Sequence, residues 1–170
     1  VDLKELVRVI PDFPKPGISF KDITPLLQHP AAFHAAIDGL ADRLQDLQVD
    51  VVVGPEARGF VVASALAYRL NAGLVTVRKS GKLPYETVKV EYDLEYGKDR
   101  LEMHRDAIEP GQRVVVADDL LATGGTISAT IDLVEQVGGK VVCAAFLIEL
   151  GYLEGRKRLG EYNVVSLIKY

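Results

Sequence analysis

The chain has 170 residues, 48% hydrophobic and 26% charged, proportions ordinary for one soluble globular domain with a core large enough to fold unaided. A net charge of −4 provides no basic footprint for non-specific nucleic-acid binding, and a single cysteine, Cys143, rules out an internal disulfide. No signal peptide and no apolar run of membrane length is visible, so a cytoplasmic protein without a membrane or nucleic-acid partner is expected.

Asp2 and Glu5 have capping-box spacing, and Leu3, Leu6, Val7 and Ile10 mark one face of a short helix. Pro11, Pro14, Pro16 and Gly17 stop it. Ile18 to Pro25 reads as a short extended piece, an edge strand closing over the core. Pro30 opens a helix whose Phe33, Ile37, Leu40, Leu44 and Leu47 form an apolar stripe. His29 and His34 at its start are surface or capping residues with no assigned chemistry.

Val49 to Gly54 is expected as the first strand of a parallel sheet, and Pro55-Glu56-Ala57-Arg58-Gly59 turns into an apolar helix from Phe60 to Leu70. A helix start beside Arg58 suits an anion, although an arginine capping a loop explains the residue too. Gly73 to Val77 is a second strand. It delivers Arg78-Lys79-Ser80-Gly81-Lys82-Leu83-Pro84, the densest basic cluster of the chain. Such clusters are usually solvated loops, but at the carboxyl end of a parallel strand this one is placed to face an anion. Residues 85–105 alternate loosely around Glu95-Tyr96-Gly97-Lys98-Asp99 and read as a β-hairpin with a polar tip. Its small apolar surface implies mobility. Taken alone, Glu95 is a surface carboxylate.

The stretch from Val114 to Thr126, VVVADDLLATGGT, carries the most specific signal. Val114 to Ala117 form a continuous apolar run, as in a strand buried on both faces, ending in Asp118 and Asp119. Two leucines follow, then Thr123-Gly124-Gly125-Thr126, then Ile127, Ile131 and Val134 at helical spacing. Glycines permit a tight turn and a close ligand, and the unpaired N–H groups of the helix start suit a phosphate dianion. The paired carboxylates suit sugar hydroxyls, so the combination fits a sugar phosphate. It is neither a P-loop nor a dinucleotide fingerprint. Gly138-Gly139 ends the helix, and Val141 to Leu150 and Val164 to Ile168 are further strands. Cys143 sits in the first of them as a core residue. Strands alternating with helices give a single α/β domain, residues 1–170, with a mainly parallel twisted sheet flanked by helices.

VVVADDLLATGGT resembles the phosphoribosyl pyrophosphate motif of type I phosphoribosyltransferases, in the form found in the adenine-specific members. PDFPKPGISFKDITPLL is similar to their N-terminal hood, RKSGKLP to their RK-x-GKLP segment, and YDLEYG to the loop that closes over their active site, so nearly the whole chain is covered. The resemblance implies the type I fold, with a small hood mainly within residues 1–30 and a flexible β-hairpin loop at about 84–105. It implies transfer of 5-phosphoribosyl from phosphoribosyl pyrophosphate to adenine, giving AMP and pyrophosphate in purine salvage.

Residue by residue, the resemblance places Arg58, Arg78, Lys79 and Lys82 at the pyrophosphate, with Arg78 and Lys82 preferred over Lys79. Asp118 and Asp119 hold the ribose, and Ala122, Thr123, Gly124, Gly125 and Thr126 hold the 5′-phosphate. Ser19, Phe20, Lys21, Leu120 and Leu150 form the adenine site, with Phe20 stacking on the base. Glu95 and Arg58 are the catalytic candidates, and Tyr96 covers Glu95 in the flexible loop. Lys21 stands where many members carry arginine, which keeps the charge but loses the planar fork. Also implied are Mg²⁺ held mainly through phosphoribosyl pyrophosphate with no protein metal ligand, a cis peptide between Glu56 and Ala57, and a homodimer with the basic segment near the subunit interface. The alternatives are a xanthine or hypoxanthine–guanine phosphoribosyltransferase, and a non-catalytic purine-sensing transcription regulator of the same fold. The N-terminal segment shows neither the helix-turn-helix pattern nor the basic face such a regulator needs.

Overall fold

The structure, a computed structural model, describes residues 1–94 and 97–170. The Asp2 carboxylate accepts from the Lys4 N–H at 3.0 Å and caps a 3₁₀ turn, Leu3–Leu6. The single helix expected through Ile10 does not form. Val7 is already extended, and β1 (Arg8–Ile10) pairs antiparallel with β2 (Phe20–Asp22). So short a helix has little stability of its own, and a ladder to a distant segment outweighs it. α1 (Thr24–Gln28) and α2 (Pro30–Leu44) follow, and His29 caps α2 by accepting from the Ala32 N–H at 3.3 Å. The apolar stripe expected through Leu47 breaks at Leu44 into a 3₁₀ turn, Gln45–Leu47.

The remaining elements are β3 (Val51–Pro55), α3 (Arg58–Leu70), β4 (Gly73–Lys79), β5 (Thr87–Leu94), β6 (Gly97–His104), β7 (Arg113–Leu121), α4 (Gly125–Gln136), β8 (Lys140–Glu149), α5 (Gly155–Leu159) and β9 (Val164–Lys169). β3 to β9 form one seven-stranded sheet in the order β5-β6-β4-β3-β7-β8-β9. The five strands β4-β3-β7-β8-β9 are parallel, and the β5–β6 hairpin joins the β4 edge antiparallel. The mainly parallel α/β architecture expected from the alternating pattern is the one observed.

Unbroken apolar runs demand cover on both faces, and both are covered. Val52, Val115 and Leu147 point into a core shared with α1, α2 and α3, whereas their neighbours Val53, Val116 and Phe146 point into a second core under α4. The hairpin stem belongs to that second core. Leu101 and Met103 are buried, with Val88, Val90 and Tyr92 packed beside them, so the stem has more apolar anchorage than its loose alternation suggested. Glu95 and Tyr96, at its tip, lie outside the described residues. The short α5 had no counterpart in the sequence reading, because five residues are too few to show a period.

One mismatch in strand length creates the site. The β3–β7 ladder covers only Val51–Val53 against Val114–Val116, whereas β7 continues beside β8 to Leu121. From β3 the chain proceeds outward to β4, and from β7 it proceeds the other way to β8. The carboxyl ends of β3 and β7 therefore flank a topological switch point, where open α/β sheets bind ligands.

Candidate functional site

Asp118 and Asp119 lie within β7, two residues beyond its pairing with β3 rather than after the strand's end, and the pleat sends them to opposite faces. Asp119 is buried, and its carboxylate accepts from Arg58 Nε at 2.7 Å. Burial alone would lower the Arg58 pKa, but the carboxylates of Asp119, Asp118 and Asp22 outweigh it and raise it. Asp118 takes a different role. Its Oδ1 accepts from the Asp119 N–H at 2.8 Å and lies against Gly59, where a Cβ would sit 2.9 Å away. Burial, and then the neighbouring Asp119 carboxylate, push the Asp118 carboxyl well above the usual range. The adjacent Glu56–Ala57 peptide is cis, as the resemblance implied.

The glycine loop follows directly. Gly124 has φ +89°, a conformation that favours glycine, and its carbonyl accepts the first helical bond of α4 from the Ser128 N–H at 2.9 Å. The N–H groups of Gly125, Thr126 and Ile127 open the helix without intrahelical acceptors. They line a cavity of about 200 Å³ together with Arg58, Asp118, Asp119 and Leu120 to Gly124. From outside, α5 presses on this loop. A Cβ at Gly155 would meet the Ala122 carbonyl oxygen at 2.5 Å, and one at Gly124 would meet the Gly155 carbonyl oxygen at 3.0 Å. Gly155 was not singled out in the sequence, where nothing links it to a loop more than thirty positions earlier.

A second cavity, of about 270 Å³, adjoins the first and shares Arg58, Asp119, Leu120 and Ala122 with it. Ser19, Phe20 and Lys21 come to it from the hood and Leu150 from the end of β8, so all five residues expected at the base site meet here. Tyr152 and Leu153, from the turn after β8, complete the wall and were missed. The Phe20 ring carries the Arg58 guanidinium 5.2 Å from its centroid and takes Phe13 edge-on at 5.2 Å. Lys21 Nζ donates to Ser19 Oγ at 2.9 Å and lies 4.6 Å from the centre of the Tyr170 ring.

The basic cluster at the end of β4 is gathered by Glu56, another residue to which the sequence reading gave no role. Its carboxylate accepts from the Lys79 N–H at 2.8 Å, Lys82 Nζ at 2.6 Å and Arg78 Nε at 3.3 Å. From below, the buried Glu102 accepts from the Gly81 N–H at 3.0 Å and pins the turn. Glu95 and Tyr96 lie outside the described residues. Cys143 is buried and its thiol is pushed up to about 11 by burial, in keeping with a core residue. Among the described residues no group of three or more His, Cys, Asp or Glu side chains could hold a metal. Asp118 and Asp119 offer hard oxygen donors, a set that suits a divalent cation only if substrate oxygens and water complete its shell.

The model of the phosphoribosyl transferase domain matches residues 22–170. The adenine phosphoribosyltransferase of Brevibacillus brevis is 62% identical over 170 residues, covering 100% of both chains. The solved adenine phosphoribosyltransferase of Thermoanaerobacter pseudethanolicus superposes with a TM-score of 0.97 at 56% identity, covering 99% of this chain and 98% of that one. That of Saccharomyces cerevisiae, solved with an imino-altritol bisphosphate and adenine, gives a TM-score of 0.92 at 39% identity, covering 96% and 94%.

Two outcomes follow from this geometry. Gly124→Val is expected to weaken ribose 5-phosphate binding at least tenfold, because the added side chain strains the positive φ and meets Gly155. Calorimetric titration of the folded variant checks it, and unchanged affinity removes the loop from the phosphate site. Asp118→Asn tests the buried carboxyl. Because the folded pKa of Asp118 lies above the unfolded value, the stability it contributes is present below about pH 4 and is lost as pH rises through the folded pKa. The variant should match the parent near pH 4 and exceed it in Tm by a margin that widens toward pH 8. A constant margin contradicts the raised pKa.

Proposed function

The chain belongs to the phosphoribosyl transferase domain family, and from that membership and its paired cavities we infer that it transfers 5-phosphoribosyl from phosphoribosyl pyrophosphate to adenine, giving AMP and pyrophosphate in purine salvage. The observation that carries the reading is the adjacency of the two cavities. A loop suited to a phosphate and a pocket suited to a flat base meet at Arg58, Asp119, Leu120 and Ala122. Two adjoining cavities of that kind suit the two ends of a nucleoside monophosphate.

In this reading Ala122 to Thr126, through backbone N–H groups and the threonine hydroxyls, hold the 5′-phosphate, so remote binding energy positions the reacting carbon. Asp118 and Asp119 take the ribose hydroxyls. Breaking the bond from ribose C1 to pyrophosphate develops positive charge on the sugar, and the Asp119 carboxylate favours that charge electrostatically. Arg58 faces the departing pyrophosphate, with Arg78, Lys82 and Lys79 beyond it. Mg²⁺, when bound, would be held mainly through the donor's oxygens and would supply further neutralisation of that leaving group. Phe20 stacks on the adenine, and Leu120 and Leu150 exclude water from its edges. Glu95 is assigned the proton of the attacking imidazole nitrogen on the resemblance alone. Glu95→Gln should then lower kcat by roughly 10²–10⁴-fold with little change in donor KM, and a loss of only a few-fold would make Glu95 a lid residue.

The same reading takes the enzyme as a cytoplasmic homodimer. Tyr68 is 90% exposed on α3, beside a cavity of about 620 Å³ between α2 and α3 that includes Ile37, Val61 and Ala65. An apolar surface of that kind favours a second subunit. Sedimentation equilibrium reads the stoichiometry directly, and a monomer at micromolar concentration overturns it. No helix among the described residues is long and apolar enough to cross a membrane.

Base selection tests the whole assignment. Adenine offers an amino donor at C6 and an acceptor at N1, and hypoxanthine reverses both. The resemblance places a carbonyl and an N–H of the hood backbone near Ser19, and no side-chain rotation can exchange their polarity. Unpaired buried polar groups cost about 1–3 kcal/mol each, and sites built on such bonds discriminate by roughly 10⁴–10⁵. Competitive kcat/KM with the two bases is therefore expected to favour adenine strongly in both the parent and Ser19→Ala. Comparable use of hypoxanthine overturns the function, whereas lost selectivity in the alanine variant alone overturns backbone reading.

A further inference from the structure

The cations assigned to the leaving group already have anionic partners in this structure. Arg58 lies 2.7 Å from Asp119 and Lys79 Nζ 3.4 Å from Asp99, while Arg78 and Lys82 both turn to Glu56, at 3.3 and 2.6 Å. Glu56 is the unusual partner. Its side chain is only 12% exposed, and a single carboxylate accepts from three residues of the basic segment, one of them through the Lys79 backbone N–H. It also stands two positions before Arg58, on the turn between β3 and α3. Burial would raise its pKa, but Lys82, the Lys79 N–H and Arg78 together hold it below the usual range, so it is an anion at neutral pH. A carboxylate at the focus of two cations and a backbone N–H has the surroundings expected of a bound phosphate oxygen.

We propose that Glu56 is a resident counter-anion of the pyrophosphate site, an affinity-determining residue that keeps Arg78 and Lys82 gathered and limits how tightly pyrophosphate is held. The proposal rests on the phosphoribosyl-transfer reading above. An arriving pyrophosphate must share Arg78 and Lys82 with a like charge that cannot leave. Two negative charges a few ångströms apart repel strongly where water is partly excluded, enough to weaken binding on the order of tenfold or more. The effect falls on the leaving group alone, since the 5′-phosphate is held at the other end of the site by the α4 loop. A product less firmly bound is released more readily, and donor binding energy is not spent on an over-stable ground state.

Glu56→Gln separates the charge from the scaffold, because the amide oxygen still accepts from the Lys79 N–H while the negative charge is gone. Calorimetric titrations of pyrophosphate and of ribose 5-phosphate, with Mg²⁺ present throughout, should show pyrophosphate bound about tenfold tighter in the variant and ribose 5-phosphate within twofold of the parent. Glu56→Asp keeps the charge and should not show the tighter pyrophosphate binding of the neutral variants; tightening there as well overturns the counter-anion role. Glu56→Ala gives a second reading of the same sign should the glutamine variant fold poorly. Pyrophosphate affinity that is unchanged or weaker in the folded neutral variants, while the parent makes AMP from adenine, overturns the counter-anion role alone. A parent that makes no AMP overturns the functional reading instead.

Discussion

Arg58 begins α3 and Asp119 lies in β7, and the 2.7 Å ion pair between them closes the gap left where β3 turns away. Both cavities contain these two residues, and the same guanidinium lies over the Phe20 ring of the hood. One side chain thus lines both cavities and touches the hood at once. Half-exposed ion pairs contribute little to stability on average. The value of this one lies in geometry, because it holds a long, flexible arginine where the two cavities meet.

Backbone approach sets the second constraint. Gly59 lets α3 begin against Asp118, while Gly124 and Gly155 let α5 press directly on the phosphate loop. At Gly59 and Gly155 a Cβ would collide with an oxygen below 3.0 Å, and at Gly124 it would sit at that limit. The loop is therefore held between α4, whose N–H groups it presents, and α5, which backs it. Backbone N–H donors at a helix start need such support if they are to hold an anion, since they cannot be re-aimed by choosing another rotamer.

Electrostatically the site is organised by pairs rather than by bare charge. Arg58, Lys79, Arg78 and Lys82 each have a carboxylate within ion-pair distance, and desolvation beside the Asp119 carboxylate raises the pKa of Asp118. The chain can thus carry a net charge of −4 and still present cations to a polyanion. Ligand binding then becomes an exchange of partners, and what matters is which carboxylates yield and which stay.

Much of this was legible in the sequence where the chemistry is local. The strand, the acidic pair, the glycine turn and the helix start of VVVADDLLATGGT are consecutive, so the loop between β7 and α4 could be read from one stretch. The buried strands announced themselves through unbroken valines, because only a sheet covered on both faces tolerates them. Sequence periodicity carries no such information about partners. It placed Arg8 to Ile10 in a helix, although a ladder with Phe20 to Asp22 decided otherwise. It treated Asp118 and Asp119 alike, although one pairs with Arg58 and the other lies half-buried against Gly59. It gave no reason to join Glu56 to Lys82, or Gly155 to Ala122, since those contacts arise only when the sheet order and helix packing bring distant segments together. The amino-acid sequence determined which local pieces this chain contains and the chemistry each carries. The tertiary structure decided which carboxylate neutralises which cation, because burial and distance set the strength of a charge pair and neither is written along the chain.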